Sequence, residues 1–224
     1  MTISGAFEQI SDEQAHLYLE RYFGLGEQQG NGFTGAHFDS FGTNAPNAIT
    51  ADDLIAVACL SKHVPSLAAL GILGDHASRI TTLLTYIPPE LSLEEIPFGE
   101  HEKYFGDGTP ALRLWRLLRR HDGTRWGIGA TTASKLMARK RPGLIPIYDS
   151  VVGGLTGFKN SDGTWSAWHE AFATDTQLIA RLRSLRSDLG LHGISLLRVL
   201  DVVLWMHGSQ GAVGPESVDE PEDS

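Results

Sequence analysis

The residues with the clearest chemical potential lie between Trp126 and Val152. Gly127–Ile128–Gly129 sets one apolar residue between two glycines, and Ala130–Thr131–Thr132–Ala133 follows as a helix start. Glycines omit side chains and permit unusual backbone angles. The amides of the next helix start have no partner inside that helix, and with the helix dipole they can hold a phosphate. The helix then turns basic through Lys135, Arg139, Lys140 and Arg141 before Pro142 and Gly143 end it. Twenty residues beyond Gly129 stands Asp149, reached through the apolar, proline-containing segment Leu144–Tyr148. A carboxylate there can orient water or stabilise developing positive charge. It can equally cap a helix beginning at Val151, which needs no catalytic role.

A second carboxylate, Asp201, interrupts the apolar run from Ile194 to Met206. A buried carboxylate is paired or hydrogen-bonded. Arg198 lies one helical turn earlier, so a structural pair and an active-site acid are both open readings. The histidines are scattered, with His37/Asp39 and His169/Glu170 too sparse to make a metal site. No P-loop, dinucleotide fingerprint or HExxH pattern is present. The single cysteine, Cys59, sits in an apolar run and reads as a small hydrophobe. One cysteine excludes an intrachain disulfide, a cysteine-held iron–sulfur cluster and a four-thiolate zinc site. No cofactor and no metal is therefore expected.

These residues need a helical frame. Ser11 opens a helix through Phe23, and a glycine-rich break follows in which Phe33, Phe38 and Phe41 anchor a loop or a short strand pair. Thr50 and Asp53 have the spacing of a capping box for the helix of Leu54 to Leu60. Helical patterns recur over Ser66–Leu73 and over His76–Ile87, which Pro88 and Pro89 end, with a loop of short turns over 90–108. Thr109–Pro110 caps and opens the helix that carries Leu114, Leu117 and Leu118. A helix from Trp165 to Leu189 breaks near Thr174–Asp175, and Ser195 caps a last helix, apolar nearly all round, that belongs in the core. The expected fold class is mainly α: one compact helical domain over 1–210 with a hairpin core near 110–155, and an acidic, disordered tail over 211–224.

The formal charge is −9, but charge is uneven. From Arg113 to Arg141 there are nine Lys or Arg and one acid, Asp122, whereas the last nine residues hold five acids. Such a basic stretch either binds a polyanion or is a solvated helix face. No leader-like or membrane-spanning run is visible, so the expected compartment is the cytoplasm.

The segment 126–152 resembles the helix-hairpin-helix DNA glycosylase superfamily, through Gly127-Ile-Gly129-Ala-Thr-Thr132-Ala133 and the downstream Pro146-Ile-Tyr-Asp149. The chain also resembles a family of actinobacterial proteins of unknown function, through residues 34–42, 47–57 and 130–152. The first resemblance implies that Gly127, Gly129, Thr131, Thr132, Lys135, Arg139, Lys140 and Arg141 contact a DNA backbone. It implies that Asp149 is the catalytic residue facing an extruded nucleotide, with Trp126 and Tyr148 as pocket walls. Thr131 stands where lyase-type members carry a Schiff-base lysine, so a monofunctional N-glycosylase on double-stranded DNA is the form implied. Two alternatives stay open. One is a nonenzymatic helix-hairpin-helix DNA-binding module, with a basic surface and no pocket. The other is a member of the same fold that binds a small molecule or a protein, with its arginines buried in intramolecular pairs. Whether the chain is an enzyme, its oligomeric state and the role of Asp201 are not fixed by the sequence.

Overall fold

The computed structural model describes residues 1–120 and 123–209. The acidic tail expected over 211–224 lies outside these residues, as does Asp122. Among the described residues the chain forms twelve α-helices and no β-strand. In order they are α1 (Ile3–Glu8), α2 (Asp12–Phe23), α3 (Ala51–Ala58), α4 (Ser66–Leu73), α5 (Ala77–Thr85), α6 (His101–Phe105), α7 (Pro110–Leu118), α8 (Ala130–Lys140), α9 (Ser150–Thr156), α10 (Thr164–Thr174), α11 (Thr176–Asp188) and α12 (Leu196–Gly208). None is long and apolar enough to cross a membrane.

Local chemistry accounts for the helix ends. Ser11 accepts from the Gln14 amide at 3.1 Å, and Gly24 takes the left-handed conformation that ends α2. Thr109 accepts from Leu112 at 3.3 Å with Pro110 beginning α7, and Ser195 accepts from Arg198 at 3.1 Å to start α12. Thr50 and Asp53 form the capping box of α3. The expected aromatic loop is a short 3₁₀ turn, Thr34–His37, rather than a strand pair. The loop expected over 90–108 contains α6.

The apolar helix α12 is the centre, packed against α2, α9, α11 and α1. A second centre is less ordinary. Helix α8 is buried from Thr132 to Lys140, although much of it is polar. It packs on α3 and α7. Its basic end points inward. Arg139 Nε pairs with Asp53 at 3.2 Å, and its other nitrogens donate to the carbonyls of Phe38 and Phe41. Lys140 pairs with the same Asp53 and donates to Asn44 Oδ1 and the Ala45 carbonyl. Arg141 donates to the carbonyls of Pro46, Ile87 and Leu84 and to Asn47 Oδ1. Segment 38–47 has neither helix nor sheet to satisfy these carbonyls, and buried backbone acceptors need partners. The expected DNA-facing role of Arg139, Lys140 and Arg141 is thereby corrected, since their donors are spent on the chain's own loop.

Asp53 has no exposed surface and is the counter-charge for two cations. Replacing it with Asn keeps its volume and removes the charge. Breaking a buried pair from one side costs roughly 3–5 kcal/mol. Urea denaturation of Asp53→Asn is expected to show a loss of that order. A loss below about 1 kcal/mol, the range of exposed pairs, would refute the account of α8.

Candidate functional site

Ahead of α8 the chain passes through two glycines that differ in their surroundings. Gly127 has φ +84°, and a Cβ there would stand 2.9 Å from Pro65 Cγ. Gly129 is extended, caps α8 without a side-chain hydrogen bond, and faces open space. Both are exposed, Ile128 between them is buried, Thr131 is half-buried and the Thr132 side chain is buried. Trp126 is buried beneath the turn. Its Nε1 donates to the Leu118 carbonyl at 2.5 Å, and its ring meets His76 edge-on at 5.4 Å. It anchors the hairpin and lines neither of the cavities at the 147–149 segment, which corrects its expected place in the pocket.

Beyond α8 the chain turns at 142–144 and then runs without helix or strand to Asp149, whose own backbone is extended. Ser134 Oγ accepts the Tyr148 amide at 2.9 Å and pins this segment to α8. Asp149 is the N-cap of α9, its Oδ1 accepting the Val151 amide at 2.8 Å. Ile147 and Asp149 line one cavity, and Tyr148 lines another. The cap uses one carboxylate oxygen, Oδ1.

The Asp149 cavity has a volume of about 180 Å³. Lys135 of α8 and Asp201 and Arg198 of α12 reach it, with Tyr22, Phe33 and Trp205 as aromatic walls. Phe33 stacks on Tyr22 at 5.5 Å and meets Trp205 edge-on at 5.8 Å. Arg198 holds the floor. It pairs with Asp201 at 2.6 Å and Asp39 at 3.2 Å, and donates to Tyr22 Oη at 2.6 Å and the Gly35 carbonyl at 3.1 Å. Gly35 is required there, because a Cβ would fall 2.0 Å from Tyr22 Oη.

The electrostatics suit proton transfer. Lys135 is 4% exposed and donates to the Leu60 carbonyl at 2.9 Å. Burial lowers its pKa from 10.5 to about 8, against the opposing pull of Asp149 and Asp201. Burial raises Asp201 to about 6; Arg198 opposes the shift and Asp149 reinforces it. Burial likewise lifts Tyr22 to about 12, although Arg198 opposes it. An acid and an amine thus flank neutral pH in one enclosure, a pattern typical of functional sites. No group of three or more His, Cys, Asp or Glu among the described residues is arranged to hold a metal ion.

The structure therefore brings Asp149 and Lys135 together and separates them from Arg139, Lys140 and Arg141. Lys135 was expected on a DNA phosphate, and its ammonium instead faces the cavity, which is a correction. Tyr148 borders the neighbouring cavity. Tyr22, Phe33, Trp205 and the Arg198 hub were missed as site residues. Only the i, i+3 spacing of Arg198 and Asp201 signalled any of this; the aromatics come from distant segments without a local pattern.

Residues 15–208 match the model of a family described as Family of unknown function (DUF6308), and the chain belongs to that family. No curated protein and no solved structure matches it.

Lys135 holds its proton less readily folded than unfolded. Between about pH 8 and 10.5 the unfolded state binds more protons, so this residue makes stability rise with pH across that window. Lys135→Met lacks the effect. The unfolding free energy of wild type, from urea denaturation, is expected to gain on that of Lys135→Met from pH 8 to 10.5 by an amount on the order of 3 kcal/mol. A constant difference over that range would show that the amine is not desolvated.

Proposed function

We propose that this member of the family is an N-glycosidase-type enzyme acting on a nucleoside-class substrate in the Asp149 cavity. The observation that carries the reading is the convergence of Asp149, Asp201 and Lys135 on one aromatic-walled enclosure. Its resemblance to glycosylases at the hairpin and at Asp149 adds support.

The reaction divides as follows. The bond between the sugar's anomeric carbon and the base nitrogen breaks, and its electron pair leaves with the base. The Asp149 oxygen not used in capping stabilises the positive charge that grows on the sugar. Lys135 gives its proton to the departing nitrogen; an acid with a pKa near the working pH suits that task. Water adds to the anomeric carbon, and its proton returns to the Lys135 amine. The aromatic walls enclose the base.

A free nucleoside or nucleotide is the favoured form. The net charge is −9, and the basic end of α8 is spent internally. The nonenzymatic DNA-binding reading expects a basic surface and no cavity, and both observations weigh against it. A second reading keeps the chemistry and presents the nucleotide extruded from double-stranded DNA. The exposed, uncapped start of α8 at Gly129 favours it, since such a start accepts a phosphate.

Release of free base is measured by chromatography from a nucleoside panel and from duplexes bearing modified bases. Asp149→Asn is expected to keep its melting temperature, because Asn caps a helix as well as Asp does. It is expected to lose activity by about a hundredfold or more. Gly129→Glu leaves turnover of free nucleosides unchanged under the favoured reading and abolishes turnover of duplex under the second. Absence of base release from every substrate, or full activity in Asp149→Asn, would sink the proposal.

A further inference from the structure

Asp201 interrupts the apolar helix α12, and no step of the reaction proposed above uses it. Its side chain lines the Asp149 cavity and keeps 7% of its surface accessible. Arg198 Nη1 holds one of its oxygens, Oδ2, at 2.6 Å. Among the described residues no hydrogen bond engages the other oxygen, Oδ1. Nor is Oδ1 sealed from solvent, since the sealed atoms without a partner are His101 Nε2 and Thr164 Oγ1. One carboxylate oxygen of Asp201 is therefore both unengaged and accessible.

A counter-ion role leaves this carboxylate unexplained. Arg198 already pairs with Asp39 at 3.2 Å and donates to Tyr22 Oη and the Gly35 carbonyl. Asp39 alone balances its charge. A second carboxylate buried on the same cation adds a desolvation cost without neutralising anything further. Burial dominates its titration and lifts it to about 6, with Arg198 opposing and Asp149 reinforcing. The charged and titratable groups around it come from five elements besides its own helix, which supplies Arg198. They are Tyr22 of α2, Asp39 of the loop before α3, Lys62 after α3, Lys135 of α8 and Asp149 at the start of α9.

We propose that Asp201 Oδ1 is the base that takes the proton of the attacking water, an inference that rests on the N-glycosidase reading. In that reading Lys135 stands at the departing nitrogen, so water arriving while the base is still bound meets the amine only across the base. Asp201 supplies an acceptor of its own. The water oxygen bonds to the anomeric carbon as one of its O–H bonds breaks. The electron pair of that bond stays on the oxygen, which becomes the anomeric hydroxyl, and the proton moves to Oδ1. Once the base has left, the neutral Asp201 acid passes this proton to the Lys135 amine. The transfer runs downhill, from a group near 6 to one near 8, and returns both to their starting forms. Arg198 is a positioning residue: by holding Oδ2 it aims Oδ1.

The test follows base release by the full chain, on the best substrate of the panel, from about pH 4.5 to 8. Wild-type kcat/KM is expected to fall about tenfold per pH unit below about 6, where Asp201 of the free enzyme is protonated. Asp201→Asn offers Arg198 an oxygen in the same place but cannot accept the proton of water. It is expected to lose about a hundredfold in kcat with KM nearly unchanged, and to lose the acid limb. Its thermal melt is expected to stay cooperative, because Asp39 still balances Arg198. A residue that served only to hold Arg198 would leave the limb in place. A wild-type profile flat through pH 6 needs no variant and would overturn the role of Asp201. So would an Asp201→Asn enzyme that keeps the limb or stays within about threefold of wild type. Either result leaves the glycosidase reading standing, whereas base release from no substrate overturns both.

Discussion

The inward-facing basic end of α8 is the interaction on which the rest of the structure depends. Segment 38–47 covers this end of α8 as a largely exposed loop, buried only at Phe38, with no helix or strand to pair its carbonyls. Arg139, Lys140 and Arg141 reach into it and supply donors, with Asp53 balancing part of the charge. A buried charge is tolerated only when paired and hydrogen-bonded. Here the loop's carbonyls satisfy the buried cations, and the cations in turn hold the loop in place. The arrangement fixes the loop, and it also fixes the rotation of α8, which is buried from Thr132 onward.

That rotation decides the chemistry. With Arg139 held against Phe38 and Phe41, Lys135 one turn earlier is carried into the enclosure between α2, α9 and α12. Arg198 grips the same loop from the other end, through Asp39 and the Gly35 carbonyl. Phe33 and Gly35, which line the cavity, therefore belong to a segment clamped by one arginine from each of the two central helices. Ion pairs and hydrogen bonds, as well as apolar packing, hold this segment in place. A preorganised enclosure of this kind does not need to reorganise as charge develops within it.

Much of the frame was legible because its rules are local. A cap at Ser11, Thr50, Thr109 or Ser195 is settled within four residues, and those helices start where the sequence places them. Asp149 was legible as a cap for the same reason. Helices α1 and α6 are too short to leave a periodic stripe. The direction of the basic run was not legible at all. Whether Arg139 faces water or Phe38 depends on carbonyls about a hundred residues earlier in the chain. The spacing of Arg198 and Asp201 announced a pair; the roles of Asp39, Tyr22 and Gly35 in it are decided by tertiary contact alone. Phe33 and Trp205 read as core anchors, and nothing local tells an anchor from a cavity wall.

Charge placement also bears on the kind of substrate. A protein that binds a polyanion spends its cations outward, releasing counterions from the strand. This chain spends its most concentrated cations inward, on its own backbone. Lining the cavity are Asp149 and Asp201 against Lys135 and Lys62, with Arg198 already shared among Asp39, Asp201 and Tyr22. Burial shifts Lys135 and Asp201 toward neutrality from opposite sides. Under the proposed reading, such a cavity takes a small ligand whose charge changes during reaction. The segment from Ile147 to Asp149 is shared by this cavity and its tryptophan-walled neighbour, Ile147 and Asp149 lining the one and Tyr148 the other. A shift of that segment by one residue would exchange Asp149 and Tyr148 between the two cavities. The Ser134 bond to the Tyr148 amide and the Asp149 cap on α9 hold the register against such a slip.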